Sequence, residues 1–484
     1  MSKALENALQ RCRERGIVIP TYAQMRNPEL IPEAVRSRLK SIGLWDLDSL
    51  NLFRITWKNE PVESGGGFGG VNFVELPSSL TGVKARIFVL IGKFFPTGAH
   101  KVGATFGPLV EKLVHGHFDP TTQKALWPST GNYCRGGVFN SRLLGCESIA
   151  VLPEGMSQER FDWLRSMGAE VYATPGSESN VKEIYDKVKE ILGNRGEQVV
   201  NLNQFAEFGN PLWHYAVTGP AMEEVFATSG GKRFAGVFLT QGSAGTLGST
   251  DYLRQKFPLV KVAAGESIQC PTMLYNGYGA HRIEGIGDKH VPWVHNLRNM
   301  DMAGGIDDED TIRLIRLFNE PAGREALLSE GVPQEIVDKL PLFGISSVAN
   351  MLGCIKMAKY YEMNGDDCLF TVATDSIAMY QSRLREETER HGAYTTVQAA
   401  KDFDRRLAGA STEHILELSY RDRRRIHNLK YFTWIEQQGK TVEELNAQWY
   451  DDRYWLDHYE QVSEWDRKIE EFNERTGVLA QLSK

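Results

Sequence analysis

A chain of 484 residues exceeds what one hydrophobic core needs, so one large or two to three ordinary domains are expected. A hydrophobic fraction of 42% and a charged fraction of 24% are those of an ordinary globular protein, and a net charge of −7 supplies no bulk positive field for nucleic acid or anionic membrane. No apolar run reaches the roughly 18 residues of a spanning helix, and the amino-terminal MSKALENALQRCRERG lacks the apolar centre of a secretory signal.

Residues 1–60 alternate charged helical stretches with Pro20, Pro28 and Pro32 and read as a helical arm. From about residue 61 to 385 short β-branched runs, glycine turns and amphipathic helices alternate. Strands are predicted at 85–95, 148–153, 170–175, 198–203, 235–242, 261–267 and 368–374, and helices at 137–145 and 157–168. Strand–helix alternation of this kind means an α/β fold with mostly parallel sheets covered on both faces, and the length suits two of them. From 386 to 484 strand signals vanish, and the Arg-, Glu-, Trp- and Tyr-rich tail reads as helices packed as a satellite layer or a subunit contact. Its RDRRR run (421–425) reads as a solvated or salt-bridged helix face in an acidic chain. The cysteines 12, 134, 146, 270, 354 and 368 show no zinc spacing, and His115 with His117 has no ligand partner nearby, so reduced thiols, no metal and a cytoplasmic setting are expected.

Four strings carry chemistry. FFPTGAHKVGAT (94–105) presents Lys101 after a strand and a tight turn, where an amine that is partly desolvated can form a Schiff base. In WPSTGNYCRGG (127–137), Ser129, Thr130 and Gly131 form a helix-start turn suited to a carboxylate, and Asn132 adds an amide able to bond a phenolic oxygen; a plain capped turn explains the same residues. In FLTQGSAGTLGSTDYLRQKFP (238–258), Gly242, Ser243, Ala244, Gly245 and Thr246 form a nest of backbone N–H groups. It matches neither the Walker A pattern nor the dinucleotide glycine spacing, so a phosphate monoester is the expected anion. TVATDSIAMYQSRL (371–384) ends a strand before Ser376, whose hydroxyl suits a neutral ring nitrogen or serves as an ordinary helix cap.

In this order the strings resemble fold-type-II pyridoxal-phosphate enzymes, the tryptophan-synthase-β superfamily. The similarity is nearest to cysteine synthase and cystathionine β-synthase. PEGMSQERFDWLRSMGAEVYATPG (153–176), NQFAEFGNPLWHYAVTGPAMEE (203–224), IEGIGDKHVPWV (283–294) and FGISSVANMLGCIKMA (343–358) look like segments of that family, over roughly residues 70–385. The resemblance implies a two-lobed core with a small lobe of about 131–220 that closes on substrate. It implies that Lys101 forms the internal aldimine and shuttles the α-proton, that Asn132 bonds the ring oxygen, that Gly242–Thr246 hold the phosphate and that Ser376 faces the pyridine nitrogen. Ser129, Thr130, Gly131, Tyr133 and Gln204 would gather the substrate carboxylate, with Gly285 beside the amino acid. A homodimer is the family's usual assembly.

Three departures stand out. PTGAHK resembles the tryptophan-synthase-β version of the lysine motif more than the cysteine synthase one, Tyr133 replaces a usual threonine, and Asp288, Lys289 and His290 replace a mostly small or apolar stretch. Both terminal extensions and an insertion near 318–340 have no counterpart in the family. The implied reaction is replacement or elimination at Cβ of a serine- or cysteine-type amino acid, through an aminoacrylate and with a thiol or sulfide involved. The alternatives are a dehydratase or ammonia-lyase of the same fold, acting on serine, threonine or a diamino acid, and a non-catalytic relative that binds through its tail. Arg135, Lys289 and His290, if they converge, would form a cationic rim for an anionic β-substituent, with Asp288 a base for water or thiol. The plainer expectation for these four is a set of surface ion pairs.

Overall fold

The computed structural model describes residues 2–60, 65–129, 131–177 and 179–482. Its strands are β1 (Phe73–Leu76), β2 (Arg86–Ile91), β3 (Lys124–Pro128), β4 (Glu147–Pro153), β5 (Glu170–Thr174), β6 (Val199–Asn201), β7 (Arg233–Thr240), β8 (Lys261–Ser267), β9 (Met302–Ile306), β10 (Asp367–Ala373) and β11 (Ile415–Glu417). They form a seven-stranded sheet in the order β1-β2-β10-β7-β8-β9-β11 and a four-stranded sheet in the order β5-β4-β3-β6. Only the edge strands β1 and β11 run antiparallel to their neighbours. The central strands RIFVLI, RFAGVFLT and DCLFTVA are almost continuously apolar and buried, as a parallel sheet covered on both faces requires.

All seven strands predicted from the sequence are present, within a few residues at their ends. The exception in extent is 85–95, whose last part is two short 3-10 turns, Gly92–Phe94 and Pro96–Gly98, because Thr97 and Gly98 take left-handed backbone and break the strand. The helix expected at 137–145 starts earlier, at Asn132, and runs to Leu143. The tail does contain a strand, β11, which pairs with β9 and caps the large sheet. The 318–340 insertion folds into helices Pro321–Ser329 and Gln334–Val337, with Leu327 and Val337 buried in the core on one side of the large sheet.

The two termini are tied together. Asn473 accepts from Ile19 N (3.0 Å) and donates to its carbonyl (2.7 Å), while Asp466 accepts from Tyr22 N (2.6 Å) and Ala23 N (3.1 Å). No helix among the described residues is long and apolar enough to cross a membrane.

Candidate active site

The carboxyl ends of both sheets open onto one cavity, the place where parallel α/β sheets build sites. Lys101 opens the helix Lys101–His115 after β2; Ser129, Asn132 and Tyr133 follow β3, and Gln204 follows β6. Gly242, Ser243, Ala244, Gly245 and Thr246 follow β7, and Gly285 lies on the loop beyond β8; all of these line the cavity. Gly131 caps the helix Asn132–Leu143 with φ +152, and its N–H donates to Ser129 Oγ at 3.0 Å. Thr130 lies outside the described residues.

Lys101 Nζ donates to Ser243 Oγ at 3.2 Å, so the amine stands against the glycine-rich loop. The same hydroxyl accepts from Asn210 Nδ2 at 3.0 Å. Ala244 takes φ +61, which turns the loop's main chain into a nest before the helix Gly248–Lys256 begins. A Cβ on Gly242 would come within 2.6 Å of the Gly285 carbonyl, and one on Gly245 would collide with the Asn210 side chain. Glycine is therefore required at both positions by close approach.

Asn132 Nδ2 donates to Asp375 Oδ2 (2.6 Å), and Tyr380 OH donates to the same oxygen (2.7 Å). Burial raises the Asp375 pKa, against the pull of Arg160 and these two donors. Arg160 donates to Tyr380 OH (3.1 Å) and pairs with Glu284, which also binds Arg383 (2.7 Å). The side-chain Oδ1 of Asn132 is buried without a partner among the described residues, on a residue that lines the cavity. Such an orphan calls for a ligand. An amine, an anion nest and an amide group around one cavity fit pyridoxal phosphate.

Two expectations change. Ser376 does not line the cavity; Thr374 does. Thr374 immediately follows β10, and its Oγ1 lies 3.2 Å from His100 Nε2. The chain then turns at Asp375 toward Asn132, which carries Ser376 away to start the short turn Ile377–Met379. Burial and the adjacent Lys101 pull His100 down to about 3, so its imidazole is neutral.

The cationic rim is not formed. Arg135 is buried, 2.7 Å from Met379 Sδ and stacked on Trp45 and Trp163, and burial pushes its pKa down to about 9. His290 is buried among Tyr185, Phe205 and Trp434, and Lys289 is exposed over the Tyr278 ring. Surface ion pairs do not describe them either, since Arg135, Asp288 and His290 are all buried.

The Tyr133 hydroxyl donates to the Leu202 carbonyl at 3.1 Å, so only the ring of this residue is left for the cavity. Residues to which the sequence gave no role also line the site: His100, Thr240, Ile286, Ser346, Asn350, Val372 and Thr374. Asn350 bridges β7 and β10, accepting from Thr240 N (2.7 Å) and donating to the Val372 carbonyl (2.8 Å). The spacing of Ser346 and Asn350, four apart at the start of the helix Ile345–Tyr360, was the available signal.

The chain belongs to the pyridoxal-phosphate dependent enzyme family, whose model matches residues 66–332. It is an enzyme of the cysteine synthase-like class, a class that acts at Cβ, and its cofactor is pyridoxal phosphate. It is similar to cysteine synthase of Staphylococcus aureus, 28% identical over 264 residues that span 54% of this chain and 83% of the relative. It is also similar to cystathionine beta-synthase of Saccharomyces cerevisiae, 24% identical over 327 residues, covering 65% of this chain and 60% of that protein. The crystal structure of O-acetyl serine sulfhydrylase isoform 3 from Entamoeba histolytica matches the fold with a TM-score of 0.57 at 22% identity, covering 70% of this chain and 94% of that one.

Proposed function

We propose that this enzyme catalyses replacement at Cβ of a serine- or cysteine-type amino acid, with a thiol or sulfide as the entering group. The observation that carries the reading is the placement of Lys101 Nζ beside the Gly242–Thr246 loop, in one cavity with Ser129 and Asn132. Pyridoxal phosphate supplies an aldehyde carbon that condenses with amines and a ring that accepts electrons from Cα. Lys101 holds it and carries the Cα proton; the main-chain N–H groups of 242–246 take its phosphate. Asn132 would bond the ring oxygen through the Nδ2 hydrogen that Asp375 leaves available.

Thr374, which lines the cavity where Ser376 does not, would face the ring nitrogen. A hydroxyl there would suit a ring nitrogen left without a proton, and so loss of a β-substituent. Ser129, Thr130, Gly131 and Gln204 gather the substrate carboxylate, with the Tyr133 ring as a wall and Gly285 beside the amino acid. The arm (1–60), the core (61–385) and the tail (386–484) act as one body, except that the small lobe of about 131–220 closes on substrate. A cytoplasmic homodimer completes the proposal; the six buried free cysteines agree with a reducing setting.

The test is a pyruvate assay with serine and with cysteine, each with and without an added thiol. Replacement predicts that thiol suppresses pyruvate and yields a thioether amino acid. Pyruvate or a related keto acid that thiol leaves unchanged would instead mark a dehydratase or ammonia-lyase. No turnover of either amino acid by a cofactor-loaded protein would refute the reading.

A further inference from the structure

One carboxyl in the cavity has no part in the scheme above. Asp288 follows Gly285, Ile286 and Gly287, and both glycines take left-handed backbone, with φ +97 and +79. That turn is fixed from several sides. Gly287 N donates to the Gln241 carbonyl (2.7 Å), His281 Nε2 lies 2.8 Å from the Gly287 carbonyl, and Thr272 Oγ1 donates to the Asp288 carbonyl (2.9 Å). The backbone thus places the Asp288 side chain in the cavity wall, only 4% exposed.

Several other buried acids of this protein are held by partners, although Asp375 keeps one oxygen unpartnered among the described residues. Glu266 accepts from Met273 N and Leu274 N, Asp375 from Asn132 and Tyr380, and Glu284 from two arginines. The Asp288 carboxyl, by contrast, makes no hydrogen bond or ion pair with any described residue. A carboxyl in the wall of a reactive cavity, acted on by the amine that carries the Cα proton, points to proton transfer. The titratable groups that interact with it are Lys101 on one side and Tyr185 and Cys270 on the other.

We propose that Asp288 carries the proton of the β-substituent, giving it to the departing group and then taking one from the entering nucleophile. This rests on the Cβ-replacement reading. In the first half the Cβ–X bond breaks with its electron pair on X, and the Asp288 carboxyl supplies the proton that makes XH. In the second half the nucleophile's proton passes to the Asp288 carboxylate as its electron pair forms the new bond to Cβ. Lys101 holds the Cα proton between the halves and returns it, so it is not free to serve the β side. The carboxyl ends as it began, and the balance is X–Cβ plus NuH giving Nu–Cβ plus XH.

A side-chain consequence follows for specificity. Lys101 is the one cationic side chain among the described residues that line the cavity, His100 being neutral. A carboxyl with no other cation nearby suits neutral protic groups, namely the serine hydroxyl, the cysteine thiol and organic thiols. It disfavours phosphate or sulfonate substituents. Burial raises Asp288 to about 7, where one group gives and takes protons with equal ease.

The test compares holoenzyme and Asp288→Asn on serine, whose hydroxyl needs a proton to leave, and on O-acetylserine, whose acetate does not. The variant is expected to lose about 100-fold more kcat/KM on serine than on O-acetylserine. The wild-type pH profile should carry a limb near neutrality that the variant lacks, and Asp288→Glu should recover part of the serine activity. A readout without cofactor is the melting temperature of the apoprotein. The folded form binds a proton that the unfolded chain has released, so wild-type stability falls as pH rises between about 4 and about 7. The Asn variant should therefore gain on wild type over that range. Equal losses on both substrates, or an unchanged pH limb, would overturn the proposal while leaving Cβ replacement in place. Failure of wild type on every amino acid would instead sink the function itself, and this inference with it.

Discussion

Gly245 has no room for a side chain, since a Cβ there would strike Asn210, the residue that also holds the Ser243 hydroxyl facing Lys101. Gly245→Val therefore adds about 1–3 kcal/mol of overpacking strain and displaces the main-chain donors, which weakens cofactor binding roughly 10- to 100-fold. Ser243→Ala removes one hydroxyl and leaves those donors in place, so a loss of about tenfold or less is expected. Equilibrium dialysis with pyridoxal phosphate ranks the two; the reverse order would place the phosphate elsewhere. At this scale the sequence was informative wherever function sits on main chain after a strand. Lys101, Asn132 and the 242–246 loop each announce themselves by a strand, a tight turn and a helix start. Thr374 was missed for Ser376, two positions on, because the turn made by Asp375 is set by Asn132 and Tyr380, which lie far away in the chain. Arg135 and His290 read as a rim or as surface charges for the same reason: their burial comes from Trp163, Tyr185 and Trp434, which no local pattern reveals.

Among the elements, most inner parallel strands and the small sheet's edges β5 and β6 were legible, whereas the inner strand β9 and the antiparallel edges β1 and β11 were not. β9 reads MAGGI, a poor strand by propensity, yet a Cβ on Gly304 would lie 2.9 Å from the Phe238 ring of β7. Gly304 leaves room for that ring. The RDRRR run is likewise a docking device rather than a solvated face. Arg423 reaches the Met300 carbonyl, Arg424 stacks on Trp449 and Tyr450, and Arg425 donates to Asn276 and to the Met273 carbonyl (2.8 Å). Met273 N in turn donates to Glu266 on β8, at 2.9 Å. Burial raises Glu266 to about 7, against those amide donors and Arg425. The folded protein thus keeps a proton that the unfolded chain loses between about pH 4.5 and 7, and this contribution to stability falls as pH rises through that window. Glu266→Gln cannot ionise, so its melting temperature should rise relative to wild type from pH 5 to pH 8. A difference that stays constant with pH would mean that Glu266 remains ionised throughout.

For the whole molecule, the tail bears on the lobe proposed to move. Trp434 and Leu445 of the tail share one buried cluster with Val181, Tyr185 and Phe205, and Lys189 donates to the Gln437 carbonyl at 3.0 Å. Closure should then pivot about the helix Val181–Arg195, with β4 and β5 moving most. Hydrogen exchange with and without a bound amino-acid carboxylate checks this: protection should rise around 131–175 and change least at 181–195. Uniform protection of both would indicate no such pivot. All of this chemistry depends on the covalent attachment of the cofactor at one amine, and borohydride reduction of the holoenzyme followed by peptide mapping tests that most directly. The cofactor should be fixed to the peptide containing Lys101, and Lys101→Ala should stay folded, bind pyridoxal phosphate reversibly and yield no reduced adduct. A reduced adduct at another lysine, or a cofactor-loaded Lys101→Ala variant that still reacts with borohydride and turns over, would contradict the account.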